Sequence, residues 1–118
     1  MITVVVYFKL PNEITREEII SKFEQTVQKW SDNQDLIRKN YLIDLDRRIA
    51  GGVYLWKEKM HADIWLGAEF RKIVKDNYGE KPKFQFFETP IVVDNITGDI
   101  TKEWSLFIKK QFINVLKA

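Results

Sequence analysis

His61 is the only histidine of the chain, and histidine is the one side chain whose ordinary pKa lies near neutrality. It sits in "RIAGGVYLWKEKMHADIWL" (Arg48 to Leu66), beside two glycines, Tyr54, Trp56 and Trp65. An imidazole there can act as a general base, or it can be an exposed histidine in the first turn of a helix. Arg38 and Tyr41 flank the start of the second strand, which precedes this stretch. A guanidinium can hold an anionic substrate, and a phenol can donate to a carbonyl or phenolic oxygen. A salt bridge and a packed ring explain the same two residues equally well. Tyr54, Trp56 and Trp65 could wall a pocket, with core or interface packing as the alternative.

Other chemistries are excluded or weak. The chain has no cysteine, so it has no disulfide framework, thiolate metal site or cysteine nucleophile. One histidine with Asp44, Asp46 and Asp63 at no standard spacing makes a metal site improbable, and no cofactor is expected. No nucleophile motif accompanies His61. Gly51-Gly52 enters a strand and is no phosphate loop; it marks a bulge, a close backbone approach or room for a ligand.

The elements that must position these residues follow from pattern. A chain of 118 residues with 45% hydrophobic and 31% charged residues is one globular domain, 1–118. A net charge of +2 gives no argument for nucleic acid. The opening "ITVVVYFKL" (Ile2 to Leu10) reads as a strand rather than a signal peptide, no stretch reaches the length of a membrane span, and a cytosolic location is expected. Thr15 and Glu18 form a capping box for a helix through Trp30, with Ile19, Ile20, Phe23, Val27 and Trp30 on one stripe. Ser31 to Lys39 reads as a connection. "NYLIDLD" and "AGGVYLW" make a hairpin. A single helix then runs from Lys57 to Gly79, with Ile64, Ala68 and Val74 as its packing stripe and Trp65 at the border. "PKFQFFETPIVVD" is a fourth strand whose prolines suggest an edge or bulge.

The order is β-α-β-β-α-β, an α+β, ferredoxin-like sandwich with an antiparallel sheet. Both helices fall on one sheet face. The strands are apolar on both faces, so a homodimer through the open sheet face is expected. The segment 96–118 is an extension in which Thr101 can cap a helix carrying Trp104, Phe107 and Phe112. A helix packed on its own domain or on the partner subunit is expected there rather than one lying on a membrane.

"LIRKNYLIDLDRRIAGGVYLW", the "WLGAEF" helix and "YGEKPKFQFFETPIVVDN" resemble the small mono-oxygenase family typified by YdhR, in the dimeric α/β-barrel superfamily. The similarity spans about Leu36 to Asn95 and rests on Leu36-Ile37-Arg38-Lys39, the Gly51 to Trp56 strand, and Tyr78-Gly79 with Pro82. It implies a face-to-face homodimer and, in each subunit, a pocket for a small apolar or aromatic ligand between sheet and helices. It also implies cofactor-independent mono-oxygenation of an aromatic or polycyclic substrate, or non-catalytic ligand binding. In the enzyme reading His61 or Tyr41 would manage the substrate proton and Arg38 its charge. Haem-degrading relatives carry an asparagine on the first strand, which is absent here.

Overall fold

The computed structural model describes residues 1–103. Four strands form one antiparallel sheet: β1 (Ile2–Lys9), β2 (Leu36–Asp44), β3 (Ile49–Trp56) and β4 (Lys83–Glu88), in the order β2-β3-β1-β4. Three helices accompany them: α1 (Arg16–Ser31), α2 (Lys59–Trp65) and α3 (Ala68–Tyr78). The element order and strand order agree with the ferredoxin-like arrangement.

The alternation of β1 explains its central place. Val4, Val6 and Phe8 are buried toward the helices, while Thr3, Val5 and Tyr7 lie half-buried on the far face. Ring-rich side chains fill the space between the layers. One cluster joins Val4, Val6, Trp30, Tyr54, Trp56, Ala62 and Leu66. A second joins Phe8, Leu10, Ile14, Ile19, Ala50, Val74 and Tyr78. The capping box is half realised: the Glu18 amide donates to the Thr15 hydroxyl at 3.2 Å, satisfying one of the orphan donors of α1. Val27, placed on the buried stripe by its spacing, is 48% exposed.

Four boundaries differ from expectation. First, β2 begins at Leu36, because α1 ends at an Asp32 cap and Asn33 accepts the Asp35 amide in a tight turn. Arg38 and Lys39 are therefore strand residues and not part of a connection. Second, the long helix is two helices, broken at Leu66 and Gly67, where Gly67 takes an extended conformation. Its inward stripe is Ala62, Leu66, the partly buried Phe70, Val74 and Tyr78, whereas Ile64 is 64% exposed. Third, the last predicted strand divides at Thr89-Pro90, since proline lacks a ladder donor. Its second half, β5 (Ile91–Asp94), pairs with β6 (Asp99–Lys102) in a separate two-stranded sheet. Fourth, Thr101 therefore lies in a strand, β6. The turn of this hairpin uses Gly98 at φ 78°, and the Asp94 side chain accepts the amides of Ile96 and Thr97. Trp104, Phe107 and Phe112, with the helix expected there, lie outside the described residues.

Arg48 ties the hairpin to the β1–α1 loop. Its guanidinium donates to the carbonyls of Pro11 and Ile14, and its own carbonyl accepts the Leu10 amide at 2.8 Å. It holds a left-handed conformation at φ 53°, which a bulky side chain adopts only when neighbouring contacts hold it there.

Candidate functional site

Between sheet and helices lies a cavity of about 100 Å³. Strands supply its floor and α1 and α3 its walls, with Tyr41, Gly52, Tyr54, Trp30, Phe70 and Tyr78 among the lining residues. The parity of β2 decides what enters it. Tyr41 and Ile43 point toward the helices, and Lys39, two residues earlier, shares that face.

The Lys39 ammonium nitrogen is ringed by aromatic faces. It stands 3.9 Å from the centre of Tyr41, 4.5 Å from Tyr54 and 4.7 Å from Trp30. Among the described residues no carboxylate pairs with it. Burial, helped by the charge of Lys29, pulls its pKa from 10.5 down to about 7. The three ring faces favour the charged form and offset part of that desolvation.

The glycine pair makes this arrangement possible. A Cβ on Gly52 would come within 3.1 Å of the Lys39 Cε and 3.2 Å of the Tyr54 ring, so the missing side chain is the space the lysine stem occupies. Gly51 has a different reason. A Cβ there would meet the Val6 carbonyl oxygen at 1.8 Å, so this glycine permits β3 to approach β1 closely. Of the roles expected for the pair, the close backbone approach applies at Gly51, while Gly52 makes room for a side chain of the protein itself.

Tyr41 reaches across to α1, its hydroxyl 2.7 Å from the Thr26 hydroxyl. Thr26 donates its only proton to the Phe23 carbonyl at 2.8 Å, so Tyr41 is the donor to Thr26. Its proton is thereby committed within the protein, and its oxygen is left able to accept from a ligand. Burial raises the pKa of Tyr41, with the Thr26 bond opposing. Burial also raises Tyr54 and pushes Tyr78 up to about 12, so at neutral pH these phenols are protonated. The other charged lining residues are Lys22 and Lys29, and among the described residues no carboxylate lines the cavity.

No protein-family model matches the chain, and no curated protein matches it in sequence.

Of the residues singled out by sequence, the cavity brings together Tyr41 and Tyr54. Trp56 stands behind Tyr54, stacked on it at 6.1 Å, fully buried as core. Arg38 points to the opposite face of the sheet, where it meets Asp94 at 3.5 Å; strand alternation separates it from Lys39 and Tyr41. His61 and Trp65 lie away from the cavity and converge on Asp35. The Trp65 indole donates to Asp35 at 3.0 Å, and His61 Nε2 stands 3.6 Å from the same carboxylate. Trp65 is 41% exposed and lines no part of the cavity. Its replacement by alanine is expected to cost below about 1.5 kcal/mol in denaturant unfolding, against roughly 3–5 kcal/mol for a buried ring. A loss in the upper range would mean that Trp65 is core.

Lys39, Trp30 and Thr26 are the residues that sequence reasoning did not place in a site. The available signal was the i, i+2, i+4 alignment of Lys39, Tyr41 and Ile43 on an inward strand face. Among the described residues no group of three or more histidine or acidic side chains could hold a metal ion.

Proposed function

We propose that this domain binds a small, flat molecule bearing a negative charge in the cavity between sheet and helices. The observation that carries this is a buried lysine amine against aromatic faces, in a cavity whose described ionisable residues other than tyrosine are all lysines. Rings favour a planar ligand and the lysines favour a phenolate or carboxylate. A cavity of about 150 Å³ holds benzene, and this one measures about 100 Å³. By this measure even a single-ring ligand would require the walls to move, and a polycyclic one would require more.

As an enzyme, the protein is a cofactor-independent mono-oxygenase, in keeping with its resemblance to the YdhR-like family. The base would be Lys39 rather than His61. Partly neutral near pH 7, its amine takes the proton of a bound phenol, and the resulting phenolate reacts with dioxygen to give a quinone and water. Oxygen uptake with small phenols and hydroxybenzoates tests this. Lys39→Met should lower turnover by roughly 10²–10⁴, and His61→Ala should leave it unchanged. Ligand binding without oxygen uptake would favour the second reading, a non-catalytic binding module of the same fold.

The homodimer belongs to the same proposal. Leu42 and Phe87, 39% and 52% exposed, lie on the sheet face away from the helices, and Ile91 and Val93 on the adjoining hairpin are 55% and 62% exposed. A two-fold pairing of sheets would cover them. Sedimentation should give a dimer at micromolar concentration; a folded monomer there would overturn the pairing. No described helix is long and apolar enough to cross a membrane, and a cytoplasmic setting fits this reading.

A further inference from the structure

The chemistry of Lys39 extends beyond taking a proton. An amine becomes a nucleophile toward carbonyl carbon when it is desolvated, lacks a carboxylate partner and sits beside another cation. All three conditions meet at Lys39. Its stem lies over Gly52, its nitrogen is enclosed by Trp30, Tyr41 and Tyr54, and Lys29 of α1 is the neighbouring cation. The groups that face it from the packed elements are Lys29 from α1, Tyr41 from its own strand and Tyr54 from β3, with the Tyr78 phenol of α3 farther along the cavity. None carries a negative charge at neutral pH.

We propose that Lys39 forms an imine with a small carbonyl compound bearing a carboxylate, of the 2-oxo acid class. This rests on the reading of the cavity as a site for a small anionic ligand, and it adds a covalent step. The Lys39 nitrogen lone pair attacks the carbonyl carbon, and the carbon–oxygen π bond opens. A proton lost from nitrogen and one taken from solvent leave with that oxygen as water. A second nitrogen proton returns to solvent as the protonated imine becomes neutral. The net change is amine plus carbonyl giving imine plus water, with no oxidant or reductant. Lys22 and Lys29 at the walls would face the carboxylate, and the cavity volume of about 100 Å³ suits a ligand of a few heavy atoms.

The test uses the whole protein at pH 7 with pyruvate and cyanoborohydride, followed by peptide mapping. Lactate, which has the same carboxylate and no carbonyl, is titrated in parallel by calorimetry. At pH 7 fewer than about one in a thousand ordinary lysines is neutral. Lys39 should therefore be labelled at least roughly tenfold more than any other lysine, and Lys39→Met should remove that label while lactate protects it in the wild type. Labelling spread over the surface lysines, or labelling that survives in Lys39→Met, would overturn the imine. Lactate binding with no adduct at Lys39 would overturn the imine and leave the binding reading standing. Neither lactate binding nor an adduct would overturn both. Circular dichroism of Lys39→Met confirms that a lost label is not a lost fold.

Discussion

Replacing Lys39 by methionine is expected to stabilise the protein at pH 7 by about 2–4 kcal/mol. The wild-type lysine is lowered to about 7 in the fold from 10.5. Between those values the unfolded chain binds a proton that the folded chain does not, so stability rises with pH across the window. Below about 7 both states are protonated and the cost of the buried charge is felt in full. A tenfold change in proton affinity is worth about 1.4 kcal/mol, and the cation–ring contacts return part of the total. Methionine keeps much of the stem volume and removes the titration. The measurement is urea unfolding of both proteins at pH 7 and pH 9.5. Their difference should shrink by about 2–3 kcal/mol at the higher pH. Staying below pH 10 matters, because the raised pKa values of Tyr54 and Tyr78 act in the opposite direction above it. A variant less stable than wild type at pH 7 would show that the ring contacts outweigh desolvation, and that the amine stays charged.

Gly51→Ala is expected to act in the opposite direction, with a loss of at least about 4 kcal/mol. The added carbon would stand 1.8 Å from the Val6 carbonyl oxygen, and a backbone atom cannot swing aside as a side chain does. Relief requires β3 to move away from β1, which breaks the ladder between Val6 and Gly52 at the centre of the sheet. Since small domains have about 5–15 kcal/mol in total, the variant should be largely unfolded or insoluble at 37 °C. Gly52→Ala is the control. Its closest contact is the flexible Lys39 stem at 3.1 Å, so the cost should be about 1–3 kcal/mol. Equal melting temperatures for the two variants would refute the distinction drawn between them.

Strand and helix identities were legible where local rules act alone. The apolar run of β1, the Thr15 cap of α1 and the Arg47-Arg48 hairpin all lie as their sequences imply. The break between α2 and α3 was hidden, because Ala62, Leu66, Phe70, Val74 and Tyr78 continue a four-residue spacing straight through it. Only Gly67 signalled an interruption, and a lone glycine in a helical pattern is a weak signal. The site was half legible. Tyr41 and Tyr54 were read as candidates, but reading Ser31 to Lys39 as a connection removed Lys39 from the strand alternation that turns it inward. His61 attracted notice by its residue type; its position beside Asp35 depends on how α2 packs, which no local pattern encodes.

The placement of β1 at the middle of the sheet has a consequence for biosynthesis. Its partners are β3, beginning at Ile49, and β4, beginning at Lys83. During translation Ile2–Lys9 therefore waits for the ribosome to add some forty residues before its first neighbour exists, about 2–10 s at ordinary elongation rates. Throughout that interval "ITVVVYF" is a bare β-prone segment of low charge, the kind that pairs with copies of itself. The hairpin of β2 and β3 needs no distant partner and can form while β1 is still waiting. Nascent chains stalled before Trp56 should thus be the ones that recruit chaperones, and chains stalled after it should be protected along one edge of β1.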